Sequence, residues 1–306
     1  MAISFVPAHS KSSCMSFDDL PGQPPIYPPE AEAYARQALA QSRRAQERID
    51  GRFDIPYGAD YWQKVDVYVP EGKPDGLLPV LVFAHGGAWT HGYKEWCGLM
   101  APALTASGVV FVSVSYRLAP AHRFPVPLED CALALKWVID NIKDYGGDPD
   151  RISVGGHSAG GHLFALLALR HDVLQANGIE LSAIKACFPV SSQLNLVFDS
   201  PEPGTGEARI YEMFLADPRD SAQASPLHLA GNRRTPFFLS YGSDDFPRIK
   251  TSNELMAQEL ARQGGGLHVD VLDGFRHFDT ALIFSEESHP WVERFIERVK
   301  DAGPRA

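Results

Sequence analysis

RISVGGHSAGGHLFALLALR, running from Arg151 to Arg170, joins three patterns in one stretch. A β-branched run reads as a buried strand, glycines crowd both sides of a lone serine, and the apolar remainder reads as a buried helix. Gly156-His157-Ser158-Ala159-Gly160 therefore lies at a strand-to-helix corner in a G-x-S-x-G arrangement. At such a corner the serine backbone is strained, and residues two positions away must be small to clear the strand and helix beside them. The Ser158 hydroxyl is pushed into a pocket, at a helix N-terminus whose free N–H groups favour developing negative charge. The same letters also occur in plain glycine-rich turns. The flanking strand and helix are what make Ser158 a candidate nucleophile.

A serine nucleophile needs a base, an acid that orients the base, and donors for an oxyanion. FAHGGAW, Phe83 to Trp89, follows an apolar strand, and its glycines let backbone N–H groups approach a substrate carbonyl. The expected donors are the N–H groups of Gly87, Ala88 and Ala159. For the base, His277 in LDGFRHFDT follows the last strand pattern, in the order serine, acid, histidine along the chain. The other histidines compare poorly. His85 and His157 belong to the backbone-shaping motifs, His162 and His171 to the helix after the corner, and His228 and His289 lack a place after a strand. The acid comes from LSYGSDDFP, where Asp245 is the first choice by its spacing from the strand and Asp244 is read as a turn or capping residue.

Working outward, short apolar runs alternate with amphipathic ones. Strand patterns cover Gln63–Val69, Pro79–His85, Val109–Ser115, Arg151–Gly156, Ile184–Val190, Pro236–Gly242 and Leu267–Asp273. Helical patterns include Leu128–Tyr145, Arg248–Arg262 and Pro290–Lys300. This alternation implies an α/β fold with a mostly parallel sheet covered by helices on both faces. The first thirty residues, with PGQPPIYPPE, read as an extended arm, and Glu30–Ile49 as a helix of strong formers ended by Gly51. Ser191–Asn232 is polar and short of strand signals, and reads as an excursion over the sheet that shapes a pocket.

Composition excludes several classes. The net charge is −10, from 28 basic against 38 acidic residues, with no basic block, so neither nucleic acid nor an anionic membrane is an expected partner. Cys14, Cys97, Cys131 and Cys187 lie far apart with no CxxC, which argues against a disulfide framework or a structural zinc site. No segment approaches 18 uninterrupted apolar residues, and the N-terminus lacks a signal-peptide pattern. The expectation is a cytoplasmic enzyme with no metal and no cofactor.

HGGAW, SYRLAPAHRFPVPLEDC, YGGDPDRISVGGHSAGG and HFD together resemble the α/β-hydrolases of the hormone-sensitive-lipase-like esterase type, from about Tyr61 to the C-terminus. The resemblance implies an α/β-hydrolase fold for residues 61–306, with a lid excursion at 191–232 and residues 1–60 as an N-terminal arm and helix that cap the site. A surface-packed helix or an oligomer contact would fit the same N-terminal helix. Many such esterases carry a third glycine where this chain has Ala88; a backbone donor survives that change. HGGAW, GHSAGGHL, DFPRIKTSNELMAQEL and HFD are also similar to the arylformamidases, which hydrolyse an N-formyl group on an aromatic amine with the same machinery. YRLAPAHRFP resembles the esterases more. A small-molecule ester is thus the expected substrate, an N-formyl or N-acyl aromatic amide the alternative, and a non-catalytic binder on the same fold the distant one.

Other residues carry plainer readings. Tyr116 and Arg117 brace the loop after a strand, and Glu129 and Asp130 sit in the first turn of a helix, where carboxylates complement its dipole. Trp89 either lines the substrate pocket or packs beneath it. Trp137, Cys131 and Cys187 are expected in the core. Activity should fall at acid pH as His277 takes up a proton.

Overall fold

The computed structural model describes residues 17, 19–26, 28–72, 75–197 and 204–303, with the backbone alone at 206 and 207. Cys14, most of the expected N-terminal arm and part of the 191–232 excursion lie outside the described residues.

Among the described residues eight strands form one sheet: β1 Gly51–Pro56, β2 Lys64–Tyr68, β3 Leu78–Ala84, β4 Val110–Val114, β5 Gly147–His157, β6 Ile184–Val190, β7 Phe237–Gly242 and β8 Leu267–Leu272. Their spatial order is β1-β2-β4-β3-β5-β6-β7-β8. The pairs β1–β2 and β2–β4 are antiparallel, and all others are parallel. β3 illustrates why the central strands are continuously apolar. Val80, Val82 and Ala84 enter the core on one face, Leu81 and Phe83 the core on the other. Alternation splits one apolar run between two covered faces.

Helices Val126–Asn141, Ala159–Leu169 and Pro247–Arg262 supply the first core, while Pro290–Asp301 and the N-terminal helix Glu30–Gln46 contribute to the second. Every residue of Ala159–Leu169 is buried, as expected for a helix apolar on all sides. Among the described residues no helix is long and apolar enough to cross a membrane.

The strand expectations from Pro79 onward match β3 to β8 to within a few residues, but β1 was not legible. Gly51 reads as the end of the N-terminal helix, Gly, Asp and Pro are residue types that strands disfavour, and that helix stops at Gln46 rather than Ile49. An edge strand needs one partner only, and β1 tolerates a register shift between Arg52 and Ile55, where Asp54 takes φ 56°. Asp66 of β2 accepts the Asp54 N–H at 2.9 Å, so a tertiary contact supports the bulge.

Candidate active site

β5 ends at His157, and the helix Ala159–Leu169 begins one residue later, leaving Ser158 alone at the corner with φ 52° and ψ −117°. This is the strained backbone expected of the corner. The Ser158 N–H donates to Val190 O at 2.9 Å, and its carbonyl accepts from His162 N–H at 3.0 Å. The need for small neighbours is direct. A Cβ on Gly156 would lie 2.3 Å from the Gly160 carbonyl carbon, and one on Gly160 would lie 2.2 Å from Ala84 O. Both clashes are with backbone, which has no rotamer with which to yield.

His277 stands on the loop after β8 and Asp245 on the loop after β7, so both return to the same end of the sheet as Ser158. His277 Nε2 is 3.0 Å from Ser158 Oγ, and His277 Nδ1 is 2.8 Å from Asp245 Oδ1. Asp245 is 3% exposed, whereas Asp244 faces solvent. The adjacent carboxylates thus diverge, and only Asp245 reaches the imidazole. Burial pushes the Asp245 carboxyl up, but hydrogen bonds and charge from His277, with the Ser191 hydroxyl and the Phe246 N–H, outweigh it and hold the group below its usual range. A carboxylate there can fix the imidazole tautomer and balance its charge.

Gly87, Ala88 and Trp89 all take positive φ, at 117°, 53° and 61°. The Gly87 carbonyl accepts from Thr90 N–H at 3.1 Å and His91 N–H at 2.9 Å. Because a trans peptide is planar, the Ala88 N–H of that unit points away from residues 90 and 91, and Gly87, Ala88, Ser158 and Ala159 all line one cavity. The same reasoning applies to Ala159, whose N–H opposes a Ser158 carbonyl bound by His162. The Ala88 and Ala159 peptide units beside the serine are thus both held in place through their carbonyls.

The cavity beside Ser158 measures about 420 Å³. Ile26, Pro28, Ala31 and Tyr34 of the N-terminal segment form one wall, and Ile210 and Tyr211 of the 191–232 excursion another. Trp89 both lines this space and is packed: it is 3% exposed and stacks on Phe214 with ring centroids 4.3 Å apart. Tyr116 O–H braces the His85 carbonyl at 3.0 Å, and the buried Asp130 accepts five bonds, one from Gln63 and four from the N–H and guanidinium of Arg117. Among the described residues no cluster of His, Cys, Asp and Glu could hold a metal ion.

Two histidines set aside on sequence grounds support this site. His157 Nε2 meets the His277 carbonyl at 3.0 Å, and since a carbonyl only accepts, that nitrogen carries the proton. His162 Nε2 likewise donates to Ala224 O at 2.7 Å, leaving Nδ1 to accept the Trp89 indole N–H at 3.0 Å. His162 could have been flagged as the one polar side chain in the apolar run of its helix; for His157, whose partner is 120 residues away, no sequence signal existed.

Burial, above all, drives the imidazole of His157 down to about 3, and those of His162 and His85 to about 4, so all three stay neutral. In the unfolded chain they titrate near 6.5. Below that pH the unfolded state binds protons the folded state refuses, and stability falls as pH drops toward 4. All three rings act in the same direction, so their effects on stability reinforce one another inside that window. Urea midpoints measured between pH 7 and 4.5 should therefore be level above about 6.5 and fall steeply below about 6. A flat midpoint from pH 6 to 5 would show that these rings are protonated in the fold.

A mostly parallel sheet with the serine at its strand-to-helix corner, and acid and histidine on later loops, defines an α/β-hydrolase. The BD-FAE family model matches residues 65–258, and the chain belongs to that family. It is 30% identical to the esterase LipC of Mycobacterium tuberculosis, with 80% of this chain and 67% of that protein covered. It is 29% identical to the isoprenylcysteine alpha-carbonyl methylesterase ICME of Arabidopsis thaliana, over 76% of this chain and 57% of the other. The chain spans between about a third and just over half of the length of the plant relatives it matches. Among solved structures, an esterase of Pyrobaculum calidifontis superposes with a TM-score of 0.72 at 26% identity, covering 88% of this chain and 91% of that one.

Proposed function

We propose that the protein hydrolyses small carboxylic esters through an acyl-enzyme on Ser158. The observation that carries this is the unbroken chain from Asp245 Oδ1 through His277 to Ser158 Oγ, with links of 2.8 and 3.0 Å, at the mouth of an apolar cavity. His277 Nε2 takes the hydroxyl proton as Ser158 Oγ attacks the ester carbonyl carbon. The resulting oxyanion sits on the N–H groups of Ala88 and Ala159, whose peptide units are held through their carbonyls before substrate arrives, with the Gly87 N–H as the third donor. As the tetrahedral species collapses, the proton on His277 passes to the departing alkoxide. Water then attacks the acyl group, gives its proton to His277, and Ser158 is regenerated.

The cavity walls favour a compact apolar acyl or alcohol group, and the N-terminal segment acts as a cap because Ile26, Pro28, Ala31 and Tyr34 close one side. The relatives named above carry ester hydrolysis in their names, which favours an ester over an amide. The test is a side-by-side assay of a p-nitrophenyl ester of a short acid and N-formylkynurenine. The expected result is fast ester cleavage and weak deformylation. The reverse ranking would make the protein an arylformamidase, and a folded chain inert on both would favour a binding role.

A further inference from the structure

The N-terminal segment does more than wall the cavity: its residues 21–24 are bolted to the loop that carries the oxyanion donors. Gln23 Nε2 donates to Gly92 O at 3.1 Å while Gln23 Oε1 accepts from Gly92 N–H at 2.9 Å, a two-point bridge between residues 69 apart in sequence. His91 Nε2 donates to Pro24 O at 3.0 Å, and its Nδ1 accepts the Thr90 hydroxyl at 2.7 Å. Tyr93 O–H donates to Pro21 O. Three successive residues, His91 to Tyr93, are thus held by one short extended segment.

What they hold in turn is the donor loop. His91 N–H is one of the two donors that fix the Gly87 carbonyl, and hence the direction of the Ala88 N–H. Contact there is so close that a Cβ on Gly87 would lie 2.1 Å from His91 O, and one on Gly92 2.5 Å from Gly86 O. Segment 91–92 cannot shift without moving 86–88. The Gly87–Trp89 stretch, with two non-glycine residues at positive φ, is itself strained and needs such support.

We propose that Gln23 is a positioning residue, which clamps the 91–93 loop and so aims the Ala88 N–H at the developing oxyanion. The inference rests on the ester-hydrolase reading above. It also separates two roles of the N-terminal segment: a wall that binds substrate acts on ground state and transition state alike, whereas an oxyanion clamp acts on the transition state alone. Removing an oxyanion donor outright lowers kcat by about 10²–10³, so a misaimed donor should lower it by about tenfold.

The experiment compares full-length Gln23→Ala with wild type, using Gln46→Ala as control. Gln46 also anchors the N-terminal segment, through Tyr68 O–H at 3.3 Å, but at its far end. In Gln23→Ala, kcat on the p-nitrophenyl ester should drop about tenfold with KM changed less than twofold, and the backbone amide resonances of Gly87, Ala88 and Trp89 should move. Gln46→Ala should leave both unchanged. Amide resonances of 87–89 unmoved in Gln23→Ala, or a rise in KM at constant kcat, would overturn the clamp. So would equal losses in the two variants. Wild type without ester turnover would overturn the ester-hydrolase reading instead, and the resonances would still decide the clamp.

Discussion

Ser158→Ala is expected to lower ester turnover by about 10⁵-fold while leaving the fold and the binding of an unreactive ester analogue intact. The reasoning is structural. Alanine removes only the Oγ that His277 Nε2 meets at 3.0 Å, while the backbone bonds of residue 158 to Val190 and His162 persist. The corner's positive φ is set by the packing of Gly156 and Gly160 against backbone, not by the hydroxyl. Residual activity would come from the N–H donors orienting a bound ester toward water. The measurement is kcat on a p-nitrophenyl ester beside the dissociation constant of a non-hydrolysable ether of the same shape. A variant keeping even a tenth of the wild-type kcat would remove Ser158 from the chemistry.

The second large effect separates two neighbouring carboxylates. Asp245→Asn should reduce kcat by about 10³–10⁴-fold. Its Oδ1 accepts from both His277 Nδ1 and Phe246 N–H, at 2.8 and 2.7 Å, and an asparagine oxygen can keep both bonds. What disappears is the buried negative charge facing the imidazolium that forms when Ser158 gives up its proton. Asp244→Asn, at an exposed position where the carboxylate takes a 3.4 Å bond from Ser243, should stay within about twofold of wild type. Measured kcat values in the reverse order would reassign the acid.

The contrast between these two aspartates marks how far the sequence could be read. Spacing from a strand pointed to Asp245, but adjacent residues differ in direction only once β7 and its turn exist. Ser158 and His277 were legible because each lies at a position that chain order and strand ends define. Gly87, Ala88 and Ala159 were legible as residues beside the serine, because their motifs each follow an apolar strand. β3 to β8 were legible because strands covered on both faces must be continuously apolar. β1 was hidden by its Gly, Asp and Pro, since its stability comes from a partner and from Asp66 rather than from its own pattern. His157, His162 and Gln23 were hidden for a related reason. Each acts through a hydrogen bond to a residue 62 or more positions away, and nothing local marks such a side chain as different from an ordinary polar one.

Covalent labelling tests the central claim most directly. The chain is incubated with a p-nitrophenyl alkylphosphonate, which mimics the tetrahedral species and stays on the attacking oxygen, and the adduct is mapped by peptide mass. The account predicts one phosphonyl group per chain, on Ser158, with release of p-nitrophenol, abolished in Ser158→Ala and much slower in His277→Ala. A folded chain that hydrolyses esters yet carries no adduct on Ser158, or carries it on another residue, would contradict it.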